Sequence, residues 1–261
     1  MQNAGGRRFT EDNPMIDFIF NEPAAYIGAL NAIVISDLHI GIEREYEKSG
    51  VIIGKQNMLE DLESIIKQNN ADKLIIIGDV KHAINPSEKE KMEIIKFFSR
   101  ISRYVKVIII KGNHDGGIEK FLDLEIHGPR GIRLGDFYFN HGHTWPDSSL
   151  DSSKYLLMGH LHPEVGVIIP GSHRKFHRCW LIGRPNRKMQ EYYKFNGKIV
   201  IFPAFNPLVG MSIKEYAPGP LFRNSLISME KMDVYLLDSR HLGSLSSLKK
   251  EKIINKLKDI E

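Results

Sequence analysis

Five short clusters carry residue types that bind metal ions and move protons: Asp37-Leu-His39, Gly78-Asp79, Gly112-Asn113-His114-Asp115, His141-Gly-His143 and Gly159-His160-Leu-His162. Seven of the eleven histidines lie in or beside them, His82 included, which a random scatter of surface histidines would not produce. Oxygen and imidazole donors without thiolate suit Mn, Fe, Co, Ni or Zn better than Ca or Mg, which prefer oxygen-only shells. The single cysteine, Cys179, forms no intramolecular disulfide and builds no thiolate site alone. Each cluster by itself has a plainer reading. Gly78-Asp79 is a turn with a capping carboxylate, Asn113-His114-Asp115-Gly116 a helix cap or left-handed turn, and Trp145-Pro146-Asp147 a turn. His160 and His162 alternate, so in a strand they point the same way. The recurrence of all five in order is what the plainer readings do not explain.

The clusters need elements to position them, and each follows an apolar run. Ala32-Ile-Val-Ile35 leads to Asp37, Leu74-Ile-Ile-Ile77 to Asp79, and Val105-Lys-Val-Ile-Ile-Ile110 to Asn113. Such runs suit strands buried on both faces, as in parallel sheets. Between them, Met58, Leu59, Leu62, Ile65 and Ile66 share one helical face. Met92, Ile94, Ile95, Phe98 and Ile101 share another, and Ser87 with Glu90 forms a capping box at its start. Alternating strands and helices predict βαβ units, whose functional groups gather at the carboxyl ends of the strands. After about Gly128 the runs shorten, at 137–139, 155–158, 165–169, 199–202 and 228–237, which predicts a second, mixed or antiparallel sheet. Residues 16–27, broken at Pro23, read as an edge strand or hairpin.

A chain 42% hydrophobic and 26% charged is ordinary globular material, which excludes intrinsic disorder as its general state. No run approaches the roughly 18 apolar residues that span a bilayer. The apolar segment 15–35 is broken by Asn21, Glu22 and Pro23 and fails as a signal-peptide core, so a cytoplasmic protein with no membrane partner is expected. Residues 1–14 are expected to form a disordered arm, 15–261 a single domain, and 245–260 an amphipathic terminal helix. The net charge of +4 is uneven: residues 171–198 hold eight Lys and Arg against Glu191 alone, so this segment carries +7 and the rest −3. Phe176, Trp180, Tyr192, Tyr193 and Phe195 interleave with those cations. That pattern fits a basic insert that contacts nucleic acid, and equally a twisted hairpin with one solvated face.

In the order D-x-H, G-D, G-N-H-D, H-G-H and G-H-x-H, the five clusters resemble the calcineurin-like metallophosphoesterases, over 37–162, about half the chain. The resemblance implies an α/β fold of two packed mixed sheets flanked by helices, in four layers α/β/β/α. It implies that Asp37, His39 and His162 hold one divalent metal, that Asn113, His141 and His160 hold a second, and that Asp79 bridges them. His114 would bind phosphate and protonate the leaving oxygen, with Asp115 orienting it and His143 behind the ligands. The metals, Mn first with Fe, Ni, Co or Zn as alternatives, would sit about 3.5–4 Å apart and supply hydroxide to attack phosphorus. His82, three residues after the bridging Asp, resembles the SbcD branch of repair nucleases, where this histidine helps turn the phosphodiester at the metals. The short remainder after His162 leaves no room for both a DNA-binding cap and an ATPase-docking tail, so an ATPase partner is not expected. The first expectation is therefore a two-metal phosphodiesterase or nuclease. A phosphomonoesterase of a small molecule or phosphoprotein comes second, and a non-catalytic scaffold last. The sequence sets no oligomeric state.

Overall fold

The computed structural model describes residues 15–54, 56–167, 175–210 and 218–250, with the backbone alone at 167, 249 and 250. The arm at 1–14 and residues 251–260 of the expected terminal helix lie outside the described residues.

The first half forms a six-stranded sheet in the order β1 (Asp17–Phe18), β2 (Ala25–Ile27), β3 (Ala32–Ile35), β4 (Lys73–Ile77), β5 (Lys106–Ile110) and β6 (Glu125–His127). β3 to β6 run parallel, and the hairpin β1–β2 adds an antiparallel edge, as the Pro23 break anticipated. Helices α1 (Glu43–Lys48), α2 (Met58–Asn69) and α3 (Glu88–Ile101) make the connections. The capping box at Ser87 and Glu90 starts α3. The buried stripe of α3 is Ile94, Phe97, Phe98 and Ile101, a three-four spacing that turns Met92 out to solvent. Met92 therefore leaves the expected face and Phe97 joins it.

The second half forms an eight-stranded mixed sheet. Its strands are β7 (Ile132–Leu134), β8 (Phe137–Phe139), β9 (Tyr155–Met158), β10 (Glu164–Val167), β11 (Lys175–Gly183), β12 (Lys198–Ile201), β13 (Asp233–Leu236) and β14 (His241–Ser244). Their order is β14-β13-β11-β12-β9-β8-β7, with β10 paired to β11. β8, β9 and β12 are mutually parallel and the other pairs antiparallel. Helices α4 (Arg187–Tyr193), α5 (Pro220–Arg223) and α6 (Leu245–Lys250) complete this half.

Strand alternation sets the layers. Val34, Ile75, Ile77 and Ile110 of the first sheet face Phe137, Phe139, Leu157, Trp180 and Phe202 of the second in one core. Phe18 and Phe202 meet the Trp180 ring edge-on at 4.6 and 4.7 Å. The alternate residues face outward: Ile33, Ile35, Leu74 and Ile76 against α2 and α3, and Leu156, Leu181 and Ile199 against Met189 and Leu221 of α4 and α5. The result is the four-layer α/β/β/α sandwich. The described part of the basic segment is built into it, because β11 is an interior strand and α4 covers the outer face. Its aromatics divide, with Trp180, Tyr193 and Phe195 buried and Phe176 and Tyr192 exposed.

Candidate functional site

All five clusters lie just beyond the carboxyl ends of parallel strands: β3, β4 and β5 in one sheet, β8 and β9 in the other. Past those ends the chain turns sharply. Asp37, His39, Asp79, His160 and His162 adopt left-handed backbone, with φ of 57, 42, 51, 70 and 39°. Non-glycine residues rarely hold this conformation, at a cost of about 1–3 kcal/mol each, and they persist where surrounding structure over-determines them. The surrounding structure here is hydrogen bonding that extends the β3–β4 pairing. Asp37 N donates to Gly78 O at 3.2 Å, His39 N to Asp79 O at 2.8 Å, and His82 N to Ile40 O at 3.1 Å.

Two glycines let the clusters close up. A Cβ on Gly78 would stand 2.3 Å from His141 Nδ1, and one on Gly112 would stand 2.1 Å from Asp79 Oδ1. Only a hydrogen fits at either position.

The side chains gather in three overlapping groups, within each of which one ligand atom per residue lies inside 4.8 Å of the others: Asp37 with His39, Asp79 and His162; Asp79 with His141 and His160; and His39 with His82 and His114. Asp79 belongs to the first two. Both of these draw ligands from both sheets.

The Nε2 atoms of His39, His141 and His162 are buried without a hydrogen-bond partner. They do approach carboxylate oxygens, His162 to Asp37 at 3.0 Å, His141 to Asp79 at 3.2 Å and His39 to Asp79 at 3.5 Å, but without hydrogen-bond angles. Nitrogens and oxygens that crowd together yet aim past each other are arranged as donors to a common cation. Burying such groups unsatisfied is costly, so the residues fit divalent metal ions.

Charge sharpens the fit. Burial opposes ionisation of Asp37, but the His162 and His141 rings outweigh it and hold the carboxyl below its usual range. Asp79 lies well below its range because the His141, His39 and His114 rings overcome its burial. Burial pushes His39 and His160 down to about 3, which keeps both rings neutral and ligand-ready. His141 is the exception. Burial lowers it, yet Asp79 and Asp37 raise it to about 10. His143 lies 5.3 Å from the His141 ring and is pushed down to about 4 by burial and by that neighbour. It joins none of the three groups.

His82, His114 and Asp115 sit differently from one another. The His82 and His114 rings stack at 5.7 Å, and each faces His39. His114 Nδ1 bonds the His82 carbonyl, which can only accept, so Nδ1 carries the proton and Nε2 is turned toward Asp79 Oδ2, 4.0 Å away. Asp115 bonds the main chain rather than this ring. Its carboxylate accepts from the backbone N–H groups of Val80 at 2.9 Å, Lys81 at 3.3 Å and Gly112 at 2.8 Å, tying the two strand-end loops together. Burial pushes this carboxyl up, with Asp79 adding to it. Asn113 is exposed, between Gly112, packed on Asp79, and His114, whose N–H donates to Asp79 Oδ1 at 2.9 Å.

Three supporting residues escaped the sequence reading. Lys81, fully buried, donates to the carbonyls of Ala83 at 3.0 Å, Ile84 at 2.6 Å and His114. Glu45 of α1 bonds His82 Nε2. Asn206, also buried, donates to Leu38 O at 2.8 Å, and its own N–H reaches Asp37 O at 3.4 Å. Only Asn206 had a sequence signal, since it follows the apolar run 199–202 as the other clusters follow theirs. A cavity of about 760 Å³ beside Lys175, Phe176, His177, Arg178 and Arg240 borders none of the candidate ligands.

Among solved structures, the chain is similar to the nuclease MPE of Pseudomonas putida, with 20% identity, 84% of this chain and 91% of that one covered, and a TM-score of 0.53. It also matches the phosphoesterase YfcE of E. coli, with 17% identity, 81% and 96% covered, and a TM-score of 0.40. The first likeness shows a shared fold. No protein of curated function matches by sequence. No helix among the described residues is long and apolar enough to cross a membrane. A family model for calcineurin-like phosphoesterases matches residues 30–236, from β3 through β13 with every candidate ligand inside, so the chain belongs to that family of metal-dependent phosphoester hydrolases.

Proposed function

We propose that the protein is a two-metal phosphodiesterase acting on nucleic acid. The observation that carries this reading is the place of Asp79 in two ligand groups at once, one with Asp37, His39 and His162, the other with His141 and His160. A carboxylate has two oxygens and can serve two cations. Exposed Asn113, between two residues that touch Asp79, is our candidate for a further ligand to the second ion. Mn²⁺ suits the mixed oxygen and imidazole donors, with Fe, Ni, Co or Zn as alternatives.

Bound divalent cations supply positive charge to phosphoryl oxygens and acidify water. The chain's own residues do the rest. His114, anchored through Nδ1 to the His82 carbonyl, directs Nε2 into the site. Protonated there, it binds a phosphoryl oxygen and gives its proton to the leaving oxygen. Lys81 and Asp115 fix the loops from which His82 and His114 project. His143 supports His141 and His160 from outside the ligand groups. His82 and Glu45 favour a diester over a monoester. Glu45 holds the His82 ring by Nε2, and its negative charge at the rim repels a dianionic monoester more than a monoanionic diester.

The test is hydrolysis of bis-para-nitrophenyl phosphate by metal-stripped protein resupplied with Mn²⁺, beside the monoester and the His114→Ala variant. Activity restored by Mn²⁺, greater on the diester and lost in His114→Ala, is the expected result. Faster hydrolysis of the monoester would overturn the diesterase assignment in favour of a phosphomonoesterase.

A further inference from the structure

Beside the H-G-H loop lies a second concave site that no candidate ligand lines. Its cavity is about 510 Å³, within the range of small-ligand pockets. Trp145 and Tyr192 form its aromatic wall, their ring centroids 6.0 Å apart and inclined at 38°. Both are exposed, Trp145 at 37% and Tyr192 at 71%. Arg130 and Lys194, both exposed, flank them, and Asp151 is the one carboxylate in the lining.

Large aromatics left in water next to cations have an unspent apolar surface and a π-face to offer. The site is built rather than accidental. The Tyr138 hydroxyl donates to Arg130 O at 2.8 Å and accepts from Asp147 N at 2.9 Å, which ties the Arg130 wall to the Trp145 turn. Tyr193, buried beneath Tyr192, donates to Pro146 O at 3.2 Å and meets the Tyr192 ring edge-on at 4.9 Å. The wall is thus held before anything binds. It also adjoins the H-G-H loop, because Trp145 stands two positions after His143 and four after the candidate ligand His141, and two positions span at most about 7 Å.

We infer that the Trp145–Tyr192 platform binds an unpaired nucleobase of a single-stranded nucleic acid, with Arg130 and Lys194 taking the adjoining phosphates. This rests on the diesterase reading above and deepens it. Every base has a face to stack, so the site selects single strands over duplexes, whose bases are covered, and tolerates many sequences. Stacking contributes a roughly 5- to 150-fold change in affinity per base.

The chain carries its own probe. Of its two tryptophans, Trp180 is fully buried and Trp145 is exposed, so quenching on addition of a short oligodeoxythymidylate reports on Trp145. Metal-stripped protein at low salt keeps cleavage out of the measurement. The expected result is saturable quenching. By anisotropy of a labelled strand, affinity should fall about tenfold in Trp145→Ala and in Tyr192→Ala, with Trp145→Phe and Tyr192→Phe binding as wild type. The proposal is overturned if the strand binds without quenching, if both alanine variants bind within about twofold of wild type, or if duplex binds as tightly as single strand. Those outcomes leave the diesterase reading intact when bis-para-nitrophenyl phosphate is still hydrolysed. Absence of that hydrolysis is the separate failure of the reading beneath it.

Discussion

The buried ammonium of Lys81 donates to the main-chain carbonyl of His114, 33 residues further along the chain. With the Ala83 and Ile84 carbonyls on the same ammonium, this joins the loop after β4 to the loop after β5. Lys81→Met removes three charge-assisted hydrogen bonds and strands three carbonyls. The expected loss is about 4–5 kcal/mol of stability by denaturant titration, the low end of roughly 1.5–3 kcal/mol for each of the three bonds. Because His114 is displaced rather than deleted, kcat on the diester should fall more than KM rises.

Gly112 and Gly116 share a loop and should respond oppositely to alanine. At Gly112 the new methyl would stand 2.1 Å from Asp79 Oδ1 and 2.3 Å from Asp79 N, and backbone cannot step aside cheaply. At Gly116 nothing lies within 4 Å. Gly112→Ala should therefore abolish Mn²⁺-dependent turnover, while Gly116→Ala stays within about 0.5 kcal/mol of wild type in stability. Diester hydrolysis with Mn²⁺ checks the first and thermal melts the second.

Metal content separates the two ligand groups. Elemental analysis should find two metal ions per wild-type chain, one in His160→Ala and fewer than one in Asp79→Ala, which serves both groups. Removing metal with a chelator should lower the melting temperature by about 5–10 °C, since ligand at 100 times its Kd contributes about 2.7 kcal/mol and 1 kcal/mol moves a domain of this size about 2–4 °C.

Protonation predicts how metal binding depends on pH. In the metal-free protein the His141 ring, raised to about 10 by its carboxylate neighbours against the effect of burial, is a cation at neutral pH. Its folded value lies above its unfolded one, so its contribution to metal-free stability is full below about pH 6.5 and is lost as pH rises toward 10. Metal must expel that proton, whereas His39 and His160 are already neutral. Calorimetry of Mn²⁺ binding near neutrality, in buffers of different ionisation enthalpy, should find about one proton released per chain, with affinity rising as pH rises. A release of zero would show that His141 binds no metal.

The strand-end clusters were readable because each combines a local apolar run with a glycine and a polar group a few residues on. β3, β4 and β5 fall where the Ile-rich runs placed them, and the capping box put α3 in register. Lys81, Glu45 and the Trp145 platform were not readable, for one shared reason. Their partners lie 33, 37 and 47 residues away, in pairings fixed by the packed sheets and by no local period. Adjacency in sequence to His114 suggested contact with that ring for Asp115, while the turn sends its carboxylate back to Val80, Lys81 and Gly112. The basic segment was read by its charge, and its alternation within β11 and α4 decided where each aromatic went.

Neither sheet owns a complete set of ligands. Asp37, His39 and Asp79 extend from the first, His141, His160 and His162 from the second, and each group that shares Asp79 takes donors from both. A ribosome delivers the first sheet well before the second. The nascent chain therefore cannot bring either of these groups together until the sandwich has shut.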